Sequence, residues 1–409
     1  MTDQHADVEA GRRGGPDPRP GGRRGGRRGR PQVLVPAVAA LLVASGTVGC
    51  GAASSGDSGP RSSVVSGTSG PASSPSASAA PAGSVEAVAQ EVLPSVVQLR
   101  GASGEGSGIV MSADGLILTN AHVLEAGRAR TPAPDGSGGG QPGAAPQLQA
   151  VLQDGRRAPV QVVGTDATAD LAVVRATGLS GLAPIALGDS DRLRVGQGVV
   201  AVGSPLGLSG TVTSGIVSAL HRPVATGGAQ SGQATVIDAV QTDAAINPGN
   251  SGGALVDMDG RIVGVTSAIA TLGSSSGGAG GGQQSGSIGL GFAIPIDQAR
   301  RIGDQLARQG FATQAVLGVG VRSDQGQSTS GDGATIGSVT PGGPAANAGL
   351  KPGDVVTRVD DRIVDDGDSL VAAVRAEDPG APVTLTVASP GAPPRQVPVT
   401  LGSERAPSS

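Results

Sequence analysis

Aromatic side chains are the clearest shortage in this 409-residue chain, which has no Trp, no Tyr and only two Phe. Any core must therefore be built from Val, Ile, Leu and Ala, and the β-branched members of that set favour strands over helices. Glycine and proline are abundant instead, with 71 and 30 residues. This composition indicates that part of the chain is tail and linker rather than folded domain.

Cysteine is also nearly absent, because Cys50 is the only one. A single thiol excludes an intramolecular disulfide and leaves too few thiolates for a zinc or iron–sulfur site, and we predict neither a metal nor a cofactor. The net charge of −4 hides an asymmetry, since eight arginines lie within the first thirty residues and the remainder is acidic. We therefore expect no nucleic-acid partner.

The N-terminal region divides into three segments. Residues 1–32 are rich in Gly, Arg and Pro, which predicts a disordered basic tail in the cytoplasm. Residues 33–50 contain an apolar run of about 16 residues, between the usual signal-peptide core and a membrane-spanning helix in length. The arginines before it predict that the rest of the chain is exported. Residues 51–84 are Ser-, Gly- and Pro-rich and predict a flexible linker.

The apolar run ends in Thr47-Val48-Gly49-Cys50, which resembles a bacterial lipobox, although Thr47 stands where Leu is usual. Three interpretations remain open: lipidation at Cys50, an uncleaved membrane anchor over residues 33–48, and simple secretion. The first two place the folded part on the extracytoplasmic face of a bacterial cell membrane.

The pattern after the linker predicts a mainly β structure. Many short apolar runs separated by turn residues favour an all-β sandwich or a pair of barrels over a βαβ enzyme. Residues 296–309 form the one clear helix, which ends at Gly310 and closes the first domain. Residues 311–402 predict a smaller unit with a helix over 369–376, and residues 403–409 predict a frayed tail.

Three histidines are the candidates for a catalytic base. His5 lies in the basic tail, before the membrane segment, and cannot reach a pocket in the exported part. His221 precedes Arg222-Pro223 and a Gly-rich stretch, which is typical of a surface imidazole. His122 follows the apolar run at 116–119, where a strand gives way to a turn. If the protein uses a histidine base, that base is His122.

Ser251 stands between Pro248-Gly249-Asn250 and Gly252-Gly253. Glycines on both sides let the backbone turn tightly and leave N–H groups unshielded, as an oxyanion hole requires. Alone, this string is more simply a glycine-rich turn, but together with His122 it indicates a serine nucleophile. Asp170 precedes the apolar run 171–174 and can orient the base; Asp166 is its rival, and a plain surface role remains open for Asp170.

These residues belong to an ordered series of motifs that resembles the HtrA (DegP-like) family of trypsin-fold serine proteases with a C-terminal PDZ domain. The motifs are Gly106-Ser107-Gly108, Thr119-Asn120-Ala121-His122, Asp170-Leu171-Ala172-Val173, Asn247-Pro248-Gly249-Asn250-Ser251-Gly252-Gly253 and Gly291-Phe292-Ala293-Ile294-Pro295. The resemblance implies a chymotrypsin-like double β-barrel protease domain over residues 85–310 and a small α+β PDZ domain over 311–402. It prefers Asp170 to Asp166, which gives the triad His122, Asp170 and Ser251.

The resemblance also implies the finer roles. It assigns the oxyanion hole to the N–H groups of Gly249 and Ser251, with Asn250 between them. It assigns the binding of peptide C-termini to the PDZ loop Leu317-Gly318-Val319-Gly320. Family trimers often pack through aromatic residues near the N-terminus of the protease, and this chain has none before Phe292. A homotrimer therefore rests on the family alone.

The function implied is a serine endopeptidase that acts on unfolded or misfolded exported proteins and is regulated by its PDZ domain. The alternative is a PDZ-dependent chaperone or peptide-binding protein whose protease domain is weak or latent. A third interpretation, a surface adhesin or structural lipoprotein, rests only on the tail, linker and anchor.

Overall fold

The computed structural model describes residues 80–102, 104–127, 148–204, 210–226, 235–268, 289–322, 333–389 and 391–407, which all fall within one compact unit. The predicted basic tail, the membrane segment with Cys50 and residues 51–79 of the linker lie outside the described residues. In the ranges given, we find no helix with the length and apolar character that a membrane crossing requires.

The first domain begins with helix α1 (Val85–Val92), which the sequence pattern did not predict. Ser84 caps this helix by accepting a hydrogen bond from the N–H of Ala87 at 3.2 Å. Six antiparallel strands then close a barrel in the order β1-β2-β3-β6-β5-β4. They are β1 (Val96–Arg100), β2 (Glu105–Val110), β3 (Leu116–Thr119), β4 (Gln149–Val151), β5 (Arg157–Asp166) and β6 (Leu171–Ala176).

A second antiparallel barrel follows in the order β10-β11-β12-β9-β8-β7. Its strands are β7 (Gly198–Gly203), β8 (Thr211–Thr226), β9 (Thr235–Thr242), β10 (Ala254–Asp257), β11 (Ile262–Ser267) and β12 (Gly291–Pro295). Helix α2 (Ile296–Gln309) comes next, and Gly310 ends it in a left-handed conformation with φ 76°. These two barrels confirm the predicted double β-barrel, and α2 confirms the helix predicted over residues 296–309.

Aliphatic side chains make up almost all of the interior, as the shortage of aromatic residues requires, and Phe292 is the one aromatic side chain in the described buried clusters. One buried cluster joins the two barrels to α2 and includes Ile109, Val202, Ile294 and Ile302. Because α2 contributes to this cluster, it is part of the protease core and fixes the point from which the second domain departs.

The second domain is a small α+β unit with its own core, which includes Ile336, Val356 and Leu385. Its main sheet has the order β14-β15-β16-β18-β19, with β17 paired to β16. The elements are β13 (Thr313–Val316), β14 (Val319–Val321), β15 (Ala334–Val339), α3 (Pro344–Asn347), β16 (Val355–Val359), β17 (Arg362–Ile363), α4 (Gly367–Ala376), β18 (Pro382–Ala388), β19 (Arg395–Thr400) and β20 (Gly402–Arg405).

The prediction of a frayed tail from residue 403 is wrong for the residues that the structure describes. Strand β20 pairs antiparallel with β13, with Thr313 opposite Arg405 and Val316 opposite Gly402. After β20, the N–H of Ala406 donates to the carbonyl of Ala312 at 2.9 Å. The sequence pattern missed this strand because its side chains are largely exposed, so that backbone hydrogen bonds rather than an apolar face hold it.

Asp354 is a buried carboxylate at the end of the turn before β16. Burial raises its pKa, but stronger combined effects lower it below the ordinary 3.8, namely hydrogen bonds from Ser389 and from the N–H of Lys351 and the charge of Arg395. The Oγ of Ser389 lies 2.6 Å from Oδ1 of Asp354. The ionised carboxylate therefore stabilises the folded PDZ domain.

The PDZ domain contacts the second barrel through polar side chains as well as through α4. Arg362 Nη2 lies 2.6 Å from Oδ1 of Asp238 on β9, and the side chain of Asp238 is only 4% exposed. Arg375 on α4 donates to the carbonyl of Val236 at 3.2 Å. These contacts are directional, so they set the orientation of the PDZ domain on the barrel.

Candidate active site

His122 and Asp170 meet at the end of the first barrel. Strands β3 and β6 are paired, with Thr119 opposite Ala172, which places the turn after β3 beside the residue before β6. The Nδ1 atom of His122 lies 2.9 Å from each carboxylate oxygen of Asp170. The backbone N–H of His122 also donates to Oδ1 of Asp170 at 3.1 Å. An imidazole held at Nδ1 in this way keeps Nε2 for a proton from a nucleophile.

The backbone of Asp170 is as constrained as its side chain. Its φ of 52° lies in the left-handed region, which non-glycine residues seldom adopt. Its carbonyl accepts hydrogen bonds from Asn120 Nδ2 at 2.8 Å and from the N–H of Ala121 at 3.2 Å. The Oγ of Ser267 lies 3.3 Å from Oδ2 of the carboxylate. The surroundings therefore hold Asp170 in a costly conformation that aims it at His122.

The rival residues lie elsewhere. Asp166 is fully buried, and its carboxylate accepts hydrogen bonds from Thr168, Ala169 and Gln314 rather than from His122. The side chain of His221 is 58% exposed and contacts Asp238 at 3.0 Å. His5 lies outside the described residues.

Ser251 lies in the loop between β9 and β10, where the two barrels meet. Its carbonyl accepts a hydrogen bond from the N–H of Ser107 at 2.8 Å. The next residue, Gly252, has a φ of 80°, and a Cβ there would lie 2.2 Å from the carbonyl oxygen of Ser107. Only glycine fits at this position, because a side chain would collide with backbone.

Two consecutive residues at the end of β11 connect Ser251 to Asp170. Ser267 donates to the carboxylate of Asp170 at 3.3 Å, and the N–H of Ala268 donates to Oγ of Ser251 at 3.0 Å. Within the described residues, no hydrogen bond joins Ser251 to His122. The structure thus brings His122 and Asp170 into direct contact, and the N–H of Ala268 holds the Ser251 hydroxyl.

The backbone amides beside Ser251 differ in their partners. The N–H of Asn250 donates to the carbonyl of Asn247 at 3.0 Å. Over the described part of the chain, the N–H groups of Gly249 and Ser251 donate to no protein acceptor. Gly249 has a φ of 96°. Two N–H groups without a described acceptor, on either side of a paired one, are compatible with the oxyanion hole that the family resemblance implies at Gly249 and Ser251.

Sequence reasoning missed two residues that support the site, Ser107 and Ser267. Ser107 lies within the Gly106-Ser107-Gly108 motif, and its Oγ donates to the carbonyl of Gly249 at 2.6 Å. The flanking glycines were an available signal, because glycine within a strand often marks a close approach of another segment. In the structure, a Cβ on Gly106 would lie 2.6 Å from Val123. Ser267 gave no signal, because it ends a fully buried strand like any other core residue.

The PDZ loop predicted to bind peptide C-termini comprises Leu317, Gly318, Val319 and Gly320. Gly318 has a φ of 74°, and its carbonyl accepts from the N–H of Thr340 at 2.9 Å. The loop leads into β14, which lies at one edge of the described sheet. An edge strand can accept a further strand from an extended peptide.

Known proteins share both domains. Residues 106–265 match the trypsin-like peptidase domain, and residues 315–393 match the PDZ domain. The "Serine protease PepD" of Mycobacterium tuberculosis (strain ATCC 25618 / H37Rv) is 52% identical over 382 residues, which cover 91% of this chain and 79% of that protein. A "Probable periplasmic serine endoprotease DegP-like" of Halomonas elongata is 38% identical over 303 residues, covering 73% of this chain and 56% of that protein.

A solved structure agrees with these relatives. The structure titled "HtrA-type protease AlgW with tripeptide" is 33% identical, covers 79% of this chain and 98% of its own, and superposes with a TM-score of 0.54. Sequence and fold lead to the same conclusion. The chain belongs to the HtrA (DegP-like) family of serine proteases, in which a trypsin-like peptidase domain is followed by a PDZ domain.

Proposed function

We propose that Ser251 is the nucleophile of this protease, that His122 is its general base and that Asp170 orients the base. The observation that carries the assignment is the contact of His122 Nδ1 with both oxygens of Asp170 at 2.9 Å. Two consecutive residues add support, because Ser267 donates to the carboxylate of Asp170 and the N–H of Ala268 donates to Oγ of Ser251.

The chemistry follows from these positions. Rotation of the Ser251 hydroxyl from the N–H of Ala268 toward His122 lets the imidazole take its proton as the oxygen attacks a peptide carbonyl. The N–H groups of Gly249 and Ser251 stabilise the resulting oxyanion. His122 then protonates the leaving amine, and water hydrolyses the acyl-enzyme by the same route. Asp170 stabilises the imidazolium in both steps.

Unfolded or misfolded exported polypeptides are the proposed substrates, and the PDZ domain binds peptide C-termini at Leu317, Gly318, Val319 and Gly320 and regulates cleavage. The edge position of β14 supports strand addition by such a peptide. Solved structures of the HtrA-type protease AlgW carry a tripeptide or a decapeptide, which supports peptide recognition here.

The proposed location is the extracytoplasmic face of the cell membrane. The relatives named periplasmic DegP-like endoproteases support export. Anchoring by residues 33–48 and lipidation at Cys50 are the two proposed attachments to the membrane. Mass spectrometry of the mature N-terminus distinguishes them, because lipidation makes Cys50 the first residue and adds the mass of its acyl chains.

A fluorophosphonate probe tests the catalytic assignment, since it labels only an activated serine. We expect the full chain to be labelled and to cleave β-casein, and we expect Ser251→Ala to do neither while remaining folded. The experiment is run with and without a C-terminal peptide. Absence of labelling in the wild-type chain under both conditions would refute the assignment and favour a peptide-binding role.

A further inference from the structure

Asp166, which is not part of the triad, closes the turn that carries Asp170. It ends strand β5, and its side chain is fully buried. The Oδ1 atom accepts hydrogen bonds from the N–H of Thr168 at 3.0 Å, from the hydroxyl of Thr168 at 2.6 Å and from the N–H of Ala169 at 3.1 Å. These bonds fix the backbone up to the residue immediately before Asp170.

One further donor reaches this carboxylate from a distant part of the chain. Nε2 of Gln314, on β13, lies 2.9 Å from Oδ1 and 3.1 Å from Oδ2 of Asp166. Among the described residues, Gln314 is the only hydrogen-bond donor to Asp166 from outside the turn. A buried carboxylate depends on its donors. Loss of this amide leaves Oδ2 without a hydrogen-bond donor among the described residues, so that only the bonds within the turn hold the carboxylate.

Strand β13 is well placed to hold the turn. Its first residue, Thr313, donates both its N–H and its hydroxyl to Oε1 of Gln305 on α2, at 2.7 and 3.2 Å. The alanines at positions 312 and 406, which flank the β13–β20 pair, lie in the same buried cluster as Ala169. These buried alanines, rather than the part-buried bonds from Thr313 to Gln305, anchor the segment that contacts Asp166 to the protease core. The segment leads directly into the loop at Leu317.

We propose that Asp166 and Gln314 are positioning residues for the proposed triad, which hold Asp170 against His122 by restraining the turn from 166 to 170. The inference rests on the proposed function, because it assumes that Asp170 orients the catalytic base. Asp170 needs such restraint, since its φ of 52° persists only where the surroundings impose it. The contact also joins residues 148 positions apart, so the segment entering the PDZ domain supports the catalytic turn directly.

Gln314→Leu in the full chain removes the amide at nearly constant volume. We expect the rate of fluorophosphonate labelling and the kcat for fluorescein-labelled β-casein to fall about ten- to hundredfold, because small misplacements of catalytic groups cost that much. We expect KM to change less than about twofold, since Gln314 contacts no part of the nucleophile loop. A purely structural role would lower the thermal midpoint and leave the rate per folded molecule unchanged.

A donor–acceptor exchange tests the contact itself. Gln314→Glu faces Asp166 with a second buried carboxylate and should be slower than Gln314→Leu. Adding Asp166→Asn should restore labelling to within about threefold of wild type. The introduced asparagine keeps an oxygen for the three bonds of the turn. Its amide nitrogen takes the place of Oδ2, which in the described part of the chain accepts a hydrogen bond from Gln314 alone, and can donate to the introduced glutamate. Failure of the double variant to exceed Gln314→Glu would overturn the proposal.

Gln305→Leu is the matched control, because it breaks two hydrogen bonds to the neighbouring Thr313 without touching Asp166. We expect labelling within about twofold of wild type. An equal loss in Gln305→Leu and Gln314→Leu would assign the effect to a loosened strand and overturn the proposal, as would wild-type labelling of Gln314→Leu. If the wild-type chain itself is not labelled, the proposed function fails first, so the two failures are distinguishable.

Discussion

Replacing Ser107 with alanine should loosen the loop that carries Ser251 while leaving every side chain of the proposed triad in place. Ser107 is fully buried on the first barrel. Its Oγ donates to the carbonyl of Gly249 at 2.6 Å and accepts from the N–H of Ser204 at 2.9 Å. The hydroxyl therefore connects the first barrel to two segments of the second.

The loss of stability in Ser107→Ala follows from the two backbone groups that lose their hydrogen-bond partner. In the described residues, the buried carbonyl of Gly249 has no other donor, and the half-buried N–H of Ser204 has no other acceptor. Leaving them unpaired should destabilise the protease domain by about 2 kcal/mol. For a domain of this size, that corresponds to a decrease in thermal midpoint of roughly 4–8 °C.

Labelling should fall as well, because the carbonyl that loses its donor belongs to Gly249, one of the two residues proposed to form the oxyanion hole. We expect a decrease of about tenfold in the rate of fluorophosphonate labelling at a temperature where the variant is folded. Calorimetry gives the midpoint and gel fluorescence gives the rate. Ser112→Ala, in a surface turn of the same barrel, is the control. A Ser107→Ala chain that unfolds within about 1 °C of wild type and labels normally would refute the reasoning.

Three further predictions follow from the packing. Gly252→Ala should destabilise the chain by more than about 2 kcal/mol and abolish labelling, since φ is 80° and a Cβ would lie 2.2 Å from a carbonyl oxygen; soluble yield and labelling check this. Arg362→Leu should destabilise the chain by about 2 kcal/mol and speed hydrogen exchange in β9, because Oδ1 of Asp238, whose side chain is only 4% exposed, loses its guanidinium partner while Oδ2 keeps its contact with His221. Because the pKa of Asp354 is lowered in the folded state, its ionised carboxylate stabilises the fold at pH values above the ordinary pKa of 3.8, and this stability is lost as the pH falls through the folded-state pKa. Acid unfolding of the wild-type chain should show this loss of stability. Asp354→Asn should be less stable than wild type at neutral pH and should not show that acid-dependent loss.

Local pattern was enough to predict the elements whose signals lie within a few residues. The helix from 296 to 309 shows apolar periodicity and a glycine stop, and the structure ends it at Gly310 in the left-handed conformation that glycine adopts readily. Helix α1, by contrast, follows a Ser/Gly-rich stretch and has only eight residues. Its stability comes from packing its buried valines on the core, which no local pattern reveals.

For the site, the sequence by itself determined the candidates. Of the three histidines, His122 follows the apolar run at 116–119 in the part predicted to be exported, whereas His5 lies in the basic tail and His221 precedes Arg222-Pro223. Ser251 stands in the glycine-flanked motif Gly249-Asn250-Ser251-Gly252-Gly253. The sequence pattern alone could not separate Asp170 from Asp166, since both aspartates shortly precede the same apolar run at 171–174. The tertiary structure turns one toward His122 and the other toward Gln314, and it brings Ser107 to Gly249 across 142 positions of the chain. Such contacts depend on which strands close each barrel, and the pairing of β20 depends on backbone groups common to all residues. Neither the closure of the barrels nor the pairing of β20 can be recognised from a local pattern of side chains, so only the folded structure shows these contacts.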